Sequence, residues 1–324
     1  MCEGAQRTFS RRRYASIALA CRSTLFVGIV LLSVAACGAD DEPAVAPTAL
    51  GDDAITVGSF GFAESVLLAE IYSQALEAAG FRVERALGLG PREFVGPALG
   101  VGLIELLPEY AGSALAFHSL GSSQPTADVA TTQADLDQVF AETDVMALDA
   151  APAQNSNTFV VTPATARRYD LHELSDLEAA AAELSFGGPP ECERRPFCLL
   201  GLQERYGLRF EDAVTLDTGG PVTHAALRSG SVDVALLFTT DPALSDYVEL
   251  TDDRRLQPAE NVTPLLRREV VDRWGPEVVA VVDAVSRALD TTTLRALNAA
   301  DAEQPGSQDA AVIAAAWLRS EVPS

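Results

Sequence analysis

The chain has 324 residues, 48% of them hydrophobic, and its 46 acidic against 23 basic residues give a net charge of −23. Every basic residue is Arg, which excludes P-loop, Schiff-base and kinase-type lysine chemistry. So acidic a surface also argues against nucleic acid and against electrostatic docking on an anionic membrane.

Residues 1–36 read as a signal peptide. Arg11, Arg12 and Arg13 form a basic start, and Leu25–Leu32 an apolar core too short to span a bilayer. Val34-Ala35-Ala36-Cys37 matches the bacterial lipobox, which predicts cleavage before Cys37 and lipid on its sulfur. Ser10–Tyr14 faintly resembles a twin-arginine signal, so the export route stays open. Cleavage leaves 18 Arg against 45 acids, a net −27. Residues 37–53, acidic with Ala and Pro, read as a lipidated flexible tether. With Cys37 lipidated, Cys192 and Cys198 remain as a pair in an oxidising compartment and are expected to form a disulfide. So short a loop gains only about 2 kcal/mol in the chain-entropy model, so local shape is its expected use.

In the mature chain Ile55–Val57 reads as a strand, followed by the glycine-bearing loop Gly58–Phe62. A helix runs to about Ala79, with Leu68, Ile71, Ala75 and Leu76 on one face and Gly80 ending it. Phe81–Leu87 is the second strand, Arg92 opens a helix, and Ile104–Leu107 is the third strand, stopped by Pro108. This β-α-β-α-β order predicts a parallel, doubly wound sheet. Gln133–Thr143 reads as a helix and Val145–Leu148 as a strand. The polar, Pro-bearing Ala151–Asn157 suits a crossing between lobes.

Thr158–Val161 restarts a sheet, and Ser175–Glu178 reads as a capping box opening a helix. Strands follow at Leu184–Phe186, Ala213–Leu216 and Val232–Phe238, with helices ending near Gly207 and Ser229. Thr239–Pro242 is the candidate return crossing. A strand at Val262–Leu266 and three helices over 276–289, 292–302 and 308–321 then complete the first lobe. The expected layout is lobe I over 54–152 and 242–324 and lobe II over 153–241, joined by two crossings with a cleft between them and hinge closure.

At the end of the third strand, Glu109-Tyr110-Ala111-Gly112-Ser113 supplies an aromatic face, two small residues and a hydroxyl where open α/β sheets place ligands. Taken together, GSFGFAES at 58–65, the Arg92-Glu93 helix start and Pro108-Glu109-Tyr110-Ala111-Gly112-Ser113 resemble substrate-binding proteins of glycine betaine/choline-type ABC importers. The resemblance runs from about Ile55 to near the C-terminus. It implies a type II periplasmic-binding-protein fold and a ligand with a quaternary ammonium head, often with a carboxylate tail. An ABC permease with its ATPase would be the partner, no cofactor or metal would be needed, and the lipid on Cys37 would make the only membrane contact.

A methylated ammonium cannot donate hydrogen bonds and is attracted by aromatic faces, whereas a carboxylate suits a guanidinium fork. By resemblance Tyr110 is a cage wall, Ser113 a hydroxyl donor to the carboxylate, and Arg195 its guanidinium partner. Arg194 is the alternative in that loop, as is a salt bridge of Arg195 with Glu191 or Glu193. The chain departs from the family pattern at Phe159, Phe238 and His224, which replace Tyr, and at Gly61, which replaces Asn. Phe62, Phe159 and Phe238 are candidate walls, with core packing the alternative for each. His224 could stack but would repel a cation when protonated. Gln154, Asn155 and Asn157 bring amides that would suit a more polar ligand, such as the betainised histidine derivative ergothioneine.

Two rival readings remain. Enzyme motifs are missing: there is no Gly-x-Ser-x-Gly, Asp176 stands where a zincin that began at His172-Glu173 needs its second His, and His118, His172 and His224 lack metal-ligand spacing. A lipid-tethered sensor on the same fold would share every feature named above.

Overall fold

The computed structural model describes residues 53–303 and 307–321. The leader, Cys37 and most of the tether lie outside the described residues. The elements in chain order are β1 (Ile55–Gly58), α1 (Ala63–Ala78), β2 (Val83–Ala86), α2 (Arg92–Gly100), β3 (Leu106–Tyr110), α3 (Ala111–His118), α4 (Val129–Phe140) and β4 (Val145–Ala147). There follow β5 (Asn157–Val161), α5 (Pro163–Tyr169), β6 (Ser185–Gly188), α6 (Leu199–Tyr206), β7 (Asp212–Thr215), α7 (Pro221–Ser229), β8 (Val234–Phe238) and β9 (Val248–Leu250). The chain ends with β10 (Val262–Arg267), α8 (Arg268–Trp274), α9 (Glu277–Ala288), α10 (Thr291–Glu303) and α11 (Ser307–Glu321).

Two five-stranded sheets organise these elements, in the orders β2-β1-β3-β10-β4 and β7-β6-β8-β5-β9. Each is parallel where consecutive β-α-β units build it and antiparallel where a crossing strand, β10 or β5, enters. The two-lobed α/β expectation therefore holds, with mixed rather than wholly parallel sheets. Each sheet carries apolar cores on both faces. In the first lobe Leu68, Tyr72, Leu106 and Val282 pack on one side, and Val95, Leu107 and Leu265 on the other. In the second, Phe159, Phe186 and Tyr206 pack opposite Val160, Leu227 and Leu237.

Several boundaries differ from expectation for local reasons. Pro108 does not end β3, because it faces Pro264 of β10, where neither residue has an N–H to place. The small residues after Tyr110 open a helix, Ala111–His118, that begins directly at the strand end. The capping box lies two residues earlier: Glu173 is the cap and Asp176 the returning acid, and they open a 3₁₀ turn rather than an α-helix. The return crossing also moves. After Thr239–Pro242 the chain stays in the second lobe to form β9, which pairs with β5, and recrosses only between Leu250 and Val262. Three residues are too few for β9 to announce itself in the sequence.

The two crossings run side by side as a narrow ribbon. Ala151 N–H donates to Val262 O at 2.8 Å, Val262 N–H to Ala153 O at 2.9 Å, and Asn155 N–H to Glu260 O at 3.0 Å. The Thr239–Thr240 step also touches the first lobe: Arg295 of α10 donates to Thr239 O at 2.6 Å and Asn298 to Thr240 O at 3.1 Å.

Candidate functional site

The end of β3 delivers Tyr110 and the start of α3 delivers Ser113 to a cavity of about 290 Å³ between the lobes. The α3 N-terminus is held against the return crossing by its own amide groups. Ala111 N–H donates to Asn261 O at 2.9 Å and Gly112 N–H to Ala259 O at 3.0 Å, satisfying two donors that a helix start leaves open. Gly112 is required for this approach, since a Cβ there would stand 2.9 Å from Ala259 O. Ser113 completes the docking: its N–H and its hydroxyl donate to the two carboxylate oxygens of Glu260 at 3.0 and 2.9 Å.

Tyr110 is fixed by Glu64 at the start of α1, which accepts its hydroxyl at 2.5 Å. Burial, reinforced by the Glu64 charge, holds the Tyr110 phenol well above its ordinary pKa, so it remains a neutral donor with its ring as the usable surface. Glu64 also accepts from Asn155 of the first crossing at 2.7 Å and from Asn298 of α10 at 2.5 Å. Behind it, fully buried Glu109 takes a bidentate pair from Arg92 at 2.6 and 3.0 Å. The Arg92 guanidinium lies 5.0 Å from the Phe60 ring centre, Phe60 stacks on Phe62 at 5.8 Å, and Phe62 on Tyr110 at 6.2 Å.

The second lobe supplies the facing wall. Arg195, Pro196 and Phe197 come from the loop bracketed by the Cys192–Cys198 disulfide, Phe238 from the end of β8 and Asn157 from the start of β5. Asn157 donates to Phe197 O at 3.1 Å, and Gln257 of the return crossing donates to the same oxygen at 3.0 Å, so two amides hold the loop in place. The disulfide thus forms as expected, and its short loop carries cavity residues.

Of the residues singled out in the sequence, Tyr110, Ser113, Arg195, Phe238 and Asn157 line this cavity. Phe62 lies beside it, 44% exposed, against the Tyr110 ring. Arg194 does not line it. Phe159 and His224 are placed elsewhere. Two residues beyond Asn157 on β5, the Phe159 side chain is already inside the second lobe's core, 6.2 Å from Phe186, and is 1% exposed. His224 has both ring nitrogens engaged on its own lobe, with Tyr247 Oη at 3.0 Å and Asp241 Oδ2 at 3.1 Å, so the imidazole reason for an ergothioneine-like ligand falls away. Gln154 and Phe159 border a neighbouring cavity of about 370 Å³ that shares Asn157, Gln257 and Pro258 with this one. Sequence reasoning gave no role to Glu64, Arg92, Glu109, Phe197, Gln257 or Glu260. The first three stand inside the quoted motifs as acids and a base beside glycine and aromatic residues, which was a usable signal. Glu260, in an unpatterned Ala-Glu-Asn, carried none.

What this arrangement can do is hold a small, partly apolar ligand between aromatic faces from both lobes, Tyr110 on one side and Phe197 and Phe238 on the other. The chain is 29% identical to a glycine-betaine-binding protein of Pseudomonas aeruginosa over 281 residues, covering 82% of this chain and 88% of that one. It is 26% identical to the glycine betaine-binding protein YehZ of Escherichia coli over 278 residues, covering 82% and 90%. Among solved structures, a glycine betaine/carnitine/choline ABC transporter protein superposes with a TM-score of 0.73 at 23% identity, covering 82% of this chain and 98% of that one. The apo form of YehZ superposes with 0.68 at 26%, covering 83% and 99%. Residues 53–320 match the family described as the substrate-binding domain of ABC-type glycine betaine transport systems, and the chain belongs to that family.

Proposed function

We propose that this protein is an extracytoplasmic binding protein, held at the membrane by lipid on Cys37, that captures a quaternary ammonium solute and hands it to an ABC permease and its ATPase. It performs no reaction on the ligand. The observation that carries this reading is the interlobe cavity lined by Tyr110, Phe197 and Phe238. Each aromatic face contributes roughly 0.5–2 kcal/mol toward a methylated ammonium. Hinge closure over the paired crossings encloses the ligand, as expected of two lobes joined by a narrow ribbon.

The test is thermal unfolding of the purified protein against choline, glycine betaine, carnitine, ergothioneine and ordinary amino acids. A ligand at 100 times its Kd stabilises the folded state by about 2.7 kcal/mol, which is readily seen as a raised Tm. A shift confined to methylated ammonium compounds is the expected result. A shift with ordinary amino acids alone, or with none of the panel, removes the reading.

A further inference from the structure

Ser113 is the hydroxyl that would meet a ligand carboxylate on the first lobe, yet both of its donors, N–H and O–H, are already given to the resident carboxylate of Glu260. Other donors at the cavity wall are committed in the same way. The Tyr110 hydroxyl goes to Glu64, the Asn155 amide nitrogen to Glu64, and the Asn157 and Gln257 amide nitrogens to Phe197 O. These bonds also fix which way the amides point, and Asn155 Oδ1 and Gln257 Oε1 are left as buried acceptors without a partner. Among the described residues Arg195 is the single cation lining the cavity; its side chain is 65% exposed and is paired with Glu191 at 3.4 Å. On the first-lobe side, the carboxylates of Glu64, Glu109 and Glu260 surround Tyr110 with one guanidinium, Arg92, among them, and that guanidinium is bidentate on Glu109.

A wall so supplied with acceptors and negative charge attracts a cation and repels an anion, and the low dielectric of a cleft strengthens both effects. Resting on the reading of a quaternary ammonium ligand, we infer that Glu260 sets the specificity of the cleft. It stands where a ligand carboxylate would otherwise bind, so the preferred ligand class is a cationic quaternary ammonium alcohol rather than a zwitterionic betaine. The alcohol O–H adds a donor, which the spare acceptors suit and which glycine betaine lacks.

Calorimetric titration at pH 8 of the wild-type protein and of Glu260→Gln, each with choline and with glycine betaine, tests this. The wild type is expected to bind choline at least tenfold more tightly than glycine betaine. In Glu260→Gln the ratio of the betaine Kd to the choline Kd is expected to fall at least tenfold, chiefly through weaker choline binding. A ratio that stays within twofold of the wild-type value, with binding retained, overturns the role of Glu260 and leaves the quaternary ammonium reading standing. Should Glu260→Gln not fold, the wild type alone still decides: tighter binding of glycine betaine than of choline overturns the inference. Binding of neither compound by the wild type overturns the underlying reading and the inference with it.

Discussion

The two walls of the cleft are built by opposite means. On the first lobe three carboxylates hold the wall together: Glu64 holds Tyr110, Asn155 and Asn298, Glu109 holds Arg92, and Glu260 holds Ser113. On the second lobe the wall is a disulfide-bracketed loop whose cavity-lining charge, Arg195, is largely in solvent. A pre-set wall keeps its geometry whether or not the ligand is present, so ligand binding need not order it, which favours affinity. An exposed loop can travel with its lobe and close on what the first wall has already chosen. On the proposed reading, selection by charge therefore belongs to the first lobe, while the second adds aromatic surface and enclosure.

The contrast is broken most severely at Glu64. Glu64→Ala leaves the Tyr110 hydroxyl and two amides without their acceptor, across α1, β3, the first crossing and α10. Loss of a charged hub of this kind is expected to cost about 3–5 kcal/mol in denaturant unfolding and to abolish ligand binding. A loss below about 1 kcal/mol would mean that the first wall is not pre-set.

Glu260 gives the next effect, and its sign follows from linkage. Burial raises its pKa from 4.5 to about 7, opposed by the two Ser113 donors and by Arg92, with Glu109 adding to the rise. A carboxyl whose folded pKa lies above its unfolded value contributes stability in full below about pH 4.5 and loses it as pH rises through about 7. The change amounts to about 3 kcal/mol. Glu260→Gln removes it, so the variant should melt above the wild type at pH 8, with the gap closing by pH 5. Choline affinity of the wild type should also fall on acidification across this range and stay flat in the variant. The other charged groups facing the site are Glu64, Glu109, Arg92 and Arg195. A wild-type choline affinity that is flat from pH 5 to 8 would remove Glu260 as the counter-charge.

The same two walls differ in how far the sequence disclosed them. The two-lobe order, the ligand-bearing segment around Tyr110 and the Cys192–Cys198 bridge follow from local pattern, since strand periodicity, small residues and paired cysteines act over a few residues. Glu260 could not be found in that way. It meets Ser113 from 147 positions away, and only the docking of α3 on the return crossing brings them together. Phe159, for which core packing is the alternative to a cage wall, takes that alternative for the converse reason. Its neighbour Asn157 does reach the cleft, but at two residues' distance along β5 the same face has already entered the core. Position along a strand decides such a case, and side-chain type does not.

Smaller effects sharpen the division. Tyr110→Phe keeps the ring and leaves Glu64 its two amide donors, so choline affinity should change by less than about threefold. Tyr110→Ala removes a ring face and should weaken choline by about 10- to 30-fold, within the range for one cation–π wall in a desolvated site. Equal losses in the two variants would assign the contribution to the hydroxyl.

The smallest change is expected at Arg195. Its pair with Glu191 is solvent-exposed, and such pairs contribute roughly 0–1 kcal/mol, so Arg195→Ala should leave stability within about 0.5 kcal/mol of the wild type. Its ligand effect separates the walls. A head group chosen by the first lobe predicts choline affinity unchanged within about twofold, whereas any residual binding of glycine betaine should weaken, because its carboxylate has no other guanidinium in the cavity to meet. If Arg195→Ala instead lowers choline affinity tenfold, the second wall takes part in choosing the ligand as well as covering it, and the assignment of recognition to one lobe fails.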